Sequence, residues 1–191
     1  MKIGLTGGIC CGKSTVLEIF ARYGFSAIDL DKHVHEVLQG NRRVQANIKN
    51  RFGDGCIDEN NGQVLTDRLA NFVFQDAQSL NFLENLVYPE IEQLWQRDVD
   101  GPYVVEIPLL FENGLEKHFE KTLCVYANYN EQLSRAIAFR NWTEAHLKSR
   151  IYQQMSVTEK MRRADYVIGN NGTIQQLERQ VQLFLEHYTL Q

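Results

Sequence analysis

No run of uninterrupted apolar residues in this 191-residue chain approaches the ~18 to 20 that a membrane-spanning helix needs. Its N-terminus enters a strand pattern with no apolar signal-peptide block. These two absences lead to the expectation of a cytoplasmic protein with no membrane partner. Basic clusters are missing as well: Lys and Arg are scattered and the formal net charge is −4, so no large positive surface is offered to nucleic acid. The four cysteines, Cys10, Cys11, Cys56 and Cys124, form no C-x-x-C pair and have no histidine at zinc spacing, which argues against a metal knuckle and against a disulfide framework. His33 and His35 follow Asp31 into a helical pattern, where their spacing sets them on different faces. Internal repeats and low-complexity tracts are lacking.

What is present is enough for one full core. With 43% hydrophobic residues, a chain of this length buries about 70% of its unfolded surface. Five short apolar runs read as strands: KIGLT at the start, FSAID (25–29), YVVEI (103–107), KTLCVYA (121–127) and ADYVIGN (164–170). Runs this apolar suggest strands buried on both faces, as in a parallel sheet covered by helices. After the first strand, Val16, Leu17, Ile19 and Phe20 share one helical face and Gly24 is the expected stop. Pro89 is expected to open a helix over PEIEQLWQRDV, since proline suits a first helical position. Ser156 to Glu159 and Thr173 to Gln176 have capping-box spacing and should open two further helices. Residues 32–100 contain no convincing strand and read as a helical insertion. Residues 129–162, which hold Arg135, Arg140, Arg150 and Arg162, read as a second helical stretch. The expected fold is α/β with a five-stranded parallel sheet, in a single domain whose core is 1–31, 101–128 and 163–191.

The segment TGGICCGKST (6–15) matches G-x-x-x-x-G-K-S/T between a strand and a helix, the context that gives this motif its meaning. Glycines let the backbone curl so that successive N–H groups point at phosphate oxygens, and the helix adds its positive N-terminal end. Lys13 would bridge the β- and γ-phosphates of a nucleotide and the Ser14 hydroxyl would coordinate Mg²⁺. Asp29 and Asp31 follow at the carboxyl end of the second strand, the edge where open parallel sheets bind ligands. Along an extended chain both face one side. Either can accept a proton from an attacking hydroxyl or hold a metal's water ligands, and either can equally be a turn or N-cap aspartate. Glu106 ends the third strand and reads as a structural carboxylate. Arg140 precedes the break Asn141-Trp142-Thr143, where a lid could hinge, and a guanidinium there can stabilise a transferring phosphoryl group; a solvated surface arginine is the alternative.

Taken together, TGGI-x-x-GKST, the IDLD pair at 28–31, PLLFE at 108–112, the stretch from Arg140 to Gln154 and ADYVIGNNG at 164–172 resemble the dephospho-coenzyme A kinase family. The resemblance runs from the first strand to the last helix, and PLLFE and ADYVI-x-N-x-G discriminate far better than the phosphate loop. It implies a P-loop NTPase-type core with a helical acceptor-binding insertion at 32–100 and a helical lid at 129–162. The implied reaction moves the γ-phosphate of ATP to the ribose 3′-hydroxyl of dephospho-coenzyme A, the last step of coenzyme A synthesis, with Mg²⁺ as cofactor. Carried over by position, Cys10, Cys11, Gly12, Lys13, Ser14 and Thr15 match the ATP-phosphate segment. Asp31 matches the proposed catalytic base, Asp29 the first aspartate of the family's D-A-D pattern, assigned here to the metal, and Arg140 the arginine opening the lid motif. The implied catalytic set is Asp31, Lys13 and Arg140. The expected state is a monomer or weak homo-oligomer.

This chain departs from the family pattern at several places. Cys10 and Cys11 replace Gly and Ser of the usual GGIGSGK, Tyr88-Pro89 replaces His-Pro, Glu106 replaces a frequent Asp, and Asn171 stands where Asp is common. The insertion's family arginine falls on Thr66, with Arg68 two residues later; Arg42, Arg43, Lys49 and Arg68 are the basic candidates for the acceptor's pyrophosphate. A side chain at Cys10 is strained if that position requires φ > 0, and a cysteine beside a helix N-terminus and a lysine is expected to have a lowered thiol pKa. A different nucleotide kinase would share the loop but not PLLFE. A GTP switch would need N-K-x-D, which is absent, and a catalytically dead binding module sits poorly with Lys13, Ser14 and Asp31 all present.

Overall fold

In the computed structural model, which describes residues 1–73, 77–96 and 101–189, the five apolar runs all become strands. They are β1 (Lys2–Gly7), β2 (Ser26–Asp29), β3 (Tyr103–Glu106), β4 (Lys121–Tyr126) and β5 (Tyr166–Gly169). Every pairing is parallel and the order is β2-β3-β1-β4-β5. The inner strands β1, β3 and β4 are buried nearly throughout. At the edges β2 and β5 keep partly exposed residues, because each has one open side. The chain moves from β1 to one side of the sheet for β2 and β3, then crosses to the other side for β4. That reversal makes a crevice at the carboxyl ends of the strands.

The chain forms two compact units, Met1–Asp29 with Val99–Gln191, and Leu30–Asp98. In the first, helix α1 (Lys13–Arg22) buries Val16, Leu17, Ile19 and Phe20, the apolar face read from the sequence. Phe20 meets Phe25 and Phe184 edge-on at ring distances of 5.2 and 5.9 Å. Each such side chain contributes about 1.5–3 kcal/mol by leaving water. Gly24 follows the helix at φ +83.

In the second unit, α2 (Leu30–Gly40), α3 (Arg42–Phe52), α4 (Thr66–Val73) and α5 (Ala77–Gln96) surround a separate core that includes Leu38, Val44, Ile48, Leu69 and Val87. Pro89 does not open a helix here; it lies inside the 20-residue α5. Leu83, Val87 and Ile91 repeat every four residues across the proline and pack into this core. Burying that continuous stripe offsets the ~3 kcal/mol that an interior proline costs. A second correction concerns IDLD. Strand β2 stops at Asp29 and α2 begins at Leu30, so Asp31 sits in a first helical turn. The buried Leu30 starts the helix, and the extended alternation that would align Asp29 with Asp31 does not exist.

The first unit continues with α6 (Tyr129–Arg140), α7 (Glu144–Tyr152), α8 (Val157–Arg163) and α9 (Ile174–Thr189). Their boundaries follow side-chain caps. Asn128, Thr143 and Ser156 each accept a hydrogen bond from a backbone N–H three residues on. At α9 the capping box is reciprocal: Gln176 N donates to Thr173 Oγ1 and Thr173 N donates to Gln176 Oε1. Asn141 ends α6 at φ +53, a left-handed position that asparagine tolerates better than most residues.

Candidate active site

The turn after β1 is shaped by close backbone approach. A Cβ on Gly7 would come within 2.3 Å of the Val125 carbonyl oxygen, and Gly8 N donates to that same oxygen at 3.3 Å. Gly12, at φ +89, immediately precedes α1, whose N-terminus has no side-chain cap. The first-turn N–H groups are therefore available to an anion, with the helix dipole behind them. A Cβ on Gly12 would meet the Asn170 amide nitrogen at 2.2 Å. Glycine is required there on both counts.

Asn170, the residue after β5, explains that crowding. Its Nδ2 donates to the Cys11 carbonyl at 2.8 Å. Arg135, on α6, donates through Nη1 to the same carbonyl at 3.3 Å and through Nη2 to the Asn170 carbonyl at 2.8 Å, while Glu131 one turn earlier pairs with it at 3.2 Å. The loop is thus clamped from outside by two groups that sequence reasoning left without a role. Arg135 appeared only among several scattered arginines. No local signal marked it, because the carbonyls it holds belong to residues 124 and 35 positions away in the sequence.

Lys13 donates to the Gly8 carbonyl at 3.3 Å and stands 4.0 Å from Glu106 Oε1. Glu106, buried at the end of β3, is the register partner of Asp29 at the end of β2. Two carboxylates therefore finish neighbouring strands at the crevice. Arg140, the last residue of α6, lies over the Trp142 ring at 5.1 Å. Cys10, Gly12, Lys13, Ser14, Thr15 and Arg140 all line one cavity of about 340 Å³, together with Glu106, Arg135, Phe139 and Asn170. Cys11 is not part of that lining: its side chain enters the core, its N–H donates to the Gly8 carbonyl at 3.3 Å, and its carbonyl is held by Asn170 and Arg135. Asp31 belongs to the other compact unit. Gln154 lines a different cavity of about 240 Å³ with Gly8, Ile9 and Met155, and Arg150 donates to His146 at 3.4 Å. Among the insertion's basic residues, Arg43 pairs with Glu90 and Lys49 with Asp54.

The cysteines behave differently from the expectation. Cys10 does adopt φ +55, so the strain foreseen at this position is real. Its thiol pKa is raised, not lowered: burial pushes it up, and the opposing charges of Arg140, Lys13 and Arg135 do not overcome that. Burial likewise pushes Cys11 up, and Cys124, on the strand beneath, up to about 12. Desolvation of a thiolate dominates here over the nearby cations.

The two distinctive motifs turn out to be anchors for the surrounding elements. Lys160, fully buried on α8, donates to the Pro108 carbonyl at 2.5 Å and pairs with Glu112 at 2.9 Å. Glu112 also accepts from the Met155 N–H at 2.9 Å, and Thr6 of β1 donates to Pro108 at 3.2 Å. PLLFE thereby ties α8 to the sheet. In ADYVIGNNG, Asp165 accepts from the N–H and hydroxyl of Thr122, both at 2.7 Å. Asn171 Oδ1 accepts from Asn128 N at 2.7 Å, a bond that an aspartate oxygen makes equally well, which is why the departure at this position is tolerated.

A doubly wound parallel sheet, with a clamped phosphate loop at its carboxyl edge and a lysine and two carboxylates beside it, defines a P-loop kinase. The family model for dephospho-CoA kinase matches residues 1–176. A dephospho-CoA kinase from Aquifex aeolicus is 37% identical over 98% of this chain and 97% of its own length. A crystal structure from Thermus thermophilus superposes with a TM-score of 0.84 at 32% identity, covering 97% of this chain and 96% of that one. The dephospho-CoA kinase structure from Campylobacter jejuni does so with 0.69 at 26%, covering 98% and 96%. The chain belongs to the dephospho-CoA kinase family.

Proposed function

We propose that this chain catalyses transfer of the γ-phosphoryl group of ATP to the ribose 3′-hydroxyl of dephospho-coenzyme A, giving coenzyme A and ADP. The observation that carries this reading is a phosphate loop clamped by Asn170 and Arg135 within a chain that matches the family over residues 1–176. The acceptor oxygen attacks the γ-phosphorus, the bond to the β–γ bridging oxygen breaks, and the hydroxyl proton passes to Asp31. The segment from Cys10 to Thr15 holds the donor phosphates, through the uncapped first-turn N–H groups of α1. Lys13 and Arg140 neutralise charge on the transferring group. Residues 32–100 serve as the acceptor-binding insertion and 129–162 as the lid.

The available donors suit Mg²⁺. An exposed serine hydroxyl in the cavity and a carboxylate at the adjoining strand end are hard oxygen ligands of the kind this ion takes beside substrate phosphates. Ser14 and Asp29 would hold it, and it would supply neutralisation of the β- and γ-phosphate oxygens. Among the described residues no helix is long and apolar enough to cross a membrane; the location we propose is the cytoplasm and the state a monomer or weak homo-oligomer.

The roles are tested by kinetics of two variants. Asp31→Asn should lower kcat by about 10²- to 10⁴-fold, the range of general-base catalysis, with ATP affinity unchanged. Lys13→Ala should weaken both. An Asp31→Asn enzyme that keeps full turnover removes the base assignment.

A further inference from the structure

Phe139 is 83% exposed, an unfavourable state for a phenyl ring unless something covers it. Other exposed apolar groups on these helices, Ile137 at 55% and Tyr152 at 85%, lie outside the cavity of the phosphate loop. Phe139 lines it. The reason is helical spacing: Phe139 is four residues beyond Arg135, so the two share a face of α6, and Arg135 pins that face to the loop through Cys11 and Asn170. Ile174, the first residue of α9, lines the same cavity and is also 47% exposed. Beside these two apolar groups stand the Asn170 amide and the Arg140 guanidinium. A cavity with phosphate-binding backbone in one part, and a flat aromatic face with an aliphatic side chain in another, suits a ligand that joins a polyphosphate to a flat heterocycle.

We propose that Phe139 is the nucleobase-stacking residue of the donor site, setting preference for a nucleoside triphosphate over the bare polyphosphate. This rests on the donor-site reading above. Every nucleobase has a π-face, and stacking on an aromatic side chain is worth about 1–3 kcal/mol by truncation, so the ring contributes to base affinity without touching the phosphates. Phe139 is a binding determinant and takes no part in the proton or phosphoryl transfer.

The test compares calorimetric binding of MgATP and of magnesium tripolyphosphate, without acceptor, to wild type, Phe139→Ala and Phe139→Trp, each with its thermal midpoint checked. Phe139→Ala should weaken MgATP by roughly 5- to 150-fold and leave tripolyphosphate within twofold, while Phe139→Trp retains MgATP affinity. The proposal is overturned if Phe139→Ala leaves MgATP within twofold of wild type, if it weakens both ligands alike, or if Phe139→Trp is as weak as Phe139→Ala. Wild-type protein that binds neither ligand overturns the donor-site reading itself, a result distinguishable from failure of the stacking assignment.

Discussion

The side-chain amide of Asn170 donates to the backbone carbonyl of Cys11 at 2.8 Å across 159 residues of sequence. Through this bond the turn after the last strand fixes the shape of the loop after the first. Asn170→Ala should cost about 1 kcal/mol of stability, at the low end for a buried carbonyl losing a donor, since Arg135 still donates to that oxygen. It should also raise the KM for ATP. Thermal unfolding and initial rates check both, and an unchanged KM would leave the clamp without functional weight.

Cys10 holds a left-handed backbone, φ +55, that costs a β-carbon residue about 1–2 kcal/mol. Glycine removes that strain but adds about 0.4–1 kcal/mol of unfolded-chain entropy. Cys10→Gly should therefore stabilise the protein by about 0.5 kcal/mol with activity retained. A fall in the melting temperature would mean that the Cys10 side chain makes contacts worth more than its strain.

Lys160 is a fully buried cation paired with Glu112. Removing one partner strands the other, so Lys160→Met should cost about 3–5 kcal/mol, whereas Lys160→Met with Glu112→Leu should recover much of it. Burial lowers the Lys160 pKa against the rise contributed by Glu112. The folded lysine thus loses its proton at a lower pH than the unfolded one, whose pKa is about 10.4. Between those two values the unfolded state binds more protons, so stability gains with rising pH. Wild type should gain stability relative to Lys160→Met as pH climbs toward that upper value. A relative loss over the same window contradicts the direction of the shift.

Burial raises the thiol pKa of both loop cysteines. Alkylation of Cys10 at neutral pH should therefore be slower than that of a small free thiol and should be slowed further by ATP. Mass spectrometry of iodoacetamide-treated protein provides the readout, and labelling as fast as glutathione would contradict the burial argument.

The strands, the phosphate loop and the caps at Ser156 and Thr173 were legible because each is written in a few adjacent residues whose local chemistry decides the outcome. Pro89 misled for the same reason: its local preference for a helix start lost to the stripe Leu83, Val87 and Ile91, visible only once a core exists for it to face. The IDLD reading assumed that the strand ran on to Asp31, and the buried Leu30 ended it. Arg135 and Lys160 were hidden because their partners are 124 and 52 residues away. The motifs PLLFE and ADYVIGNNG could be recognised as family markers, but their work as anchors for α8 and β5 shows only in the hydrogen bonds they make. Thiol acidity was misjudged because a sequence shows the neighbouring cations and not the dry surroundings that outweigh them.

The most direct measurement is product analysis after incubating the purified protein with ATP, Mg²⁺ and, in separate reactions, dephospho-coenzyme A, adenosine and nucleoside monophosphates. Phosphorus NMR should show a new 3′-phosphomonoester only with dephospho-coenzyme A, formed in step with ADP. ADP release that is no faster with dephospho-coenzyme A than with the other acceptors, or that yields no 3′-phosphorylated product, would contradict the assigned reaction.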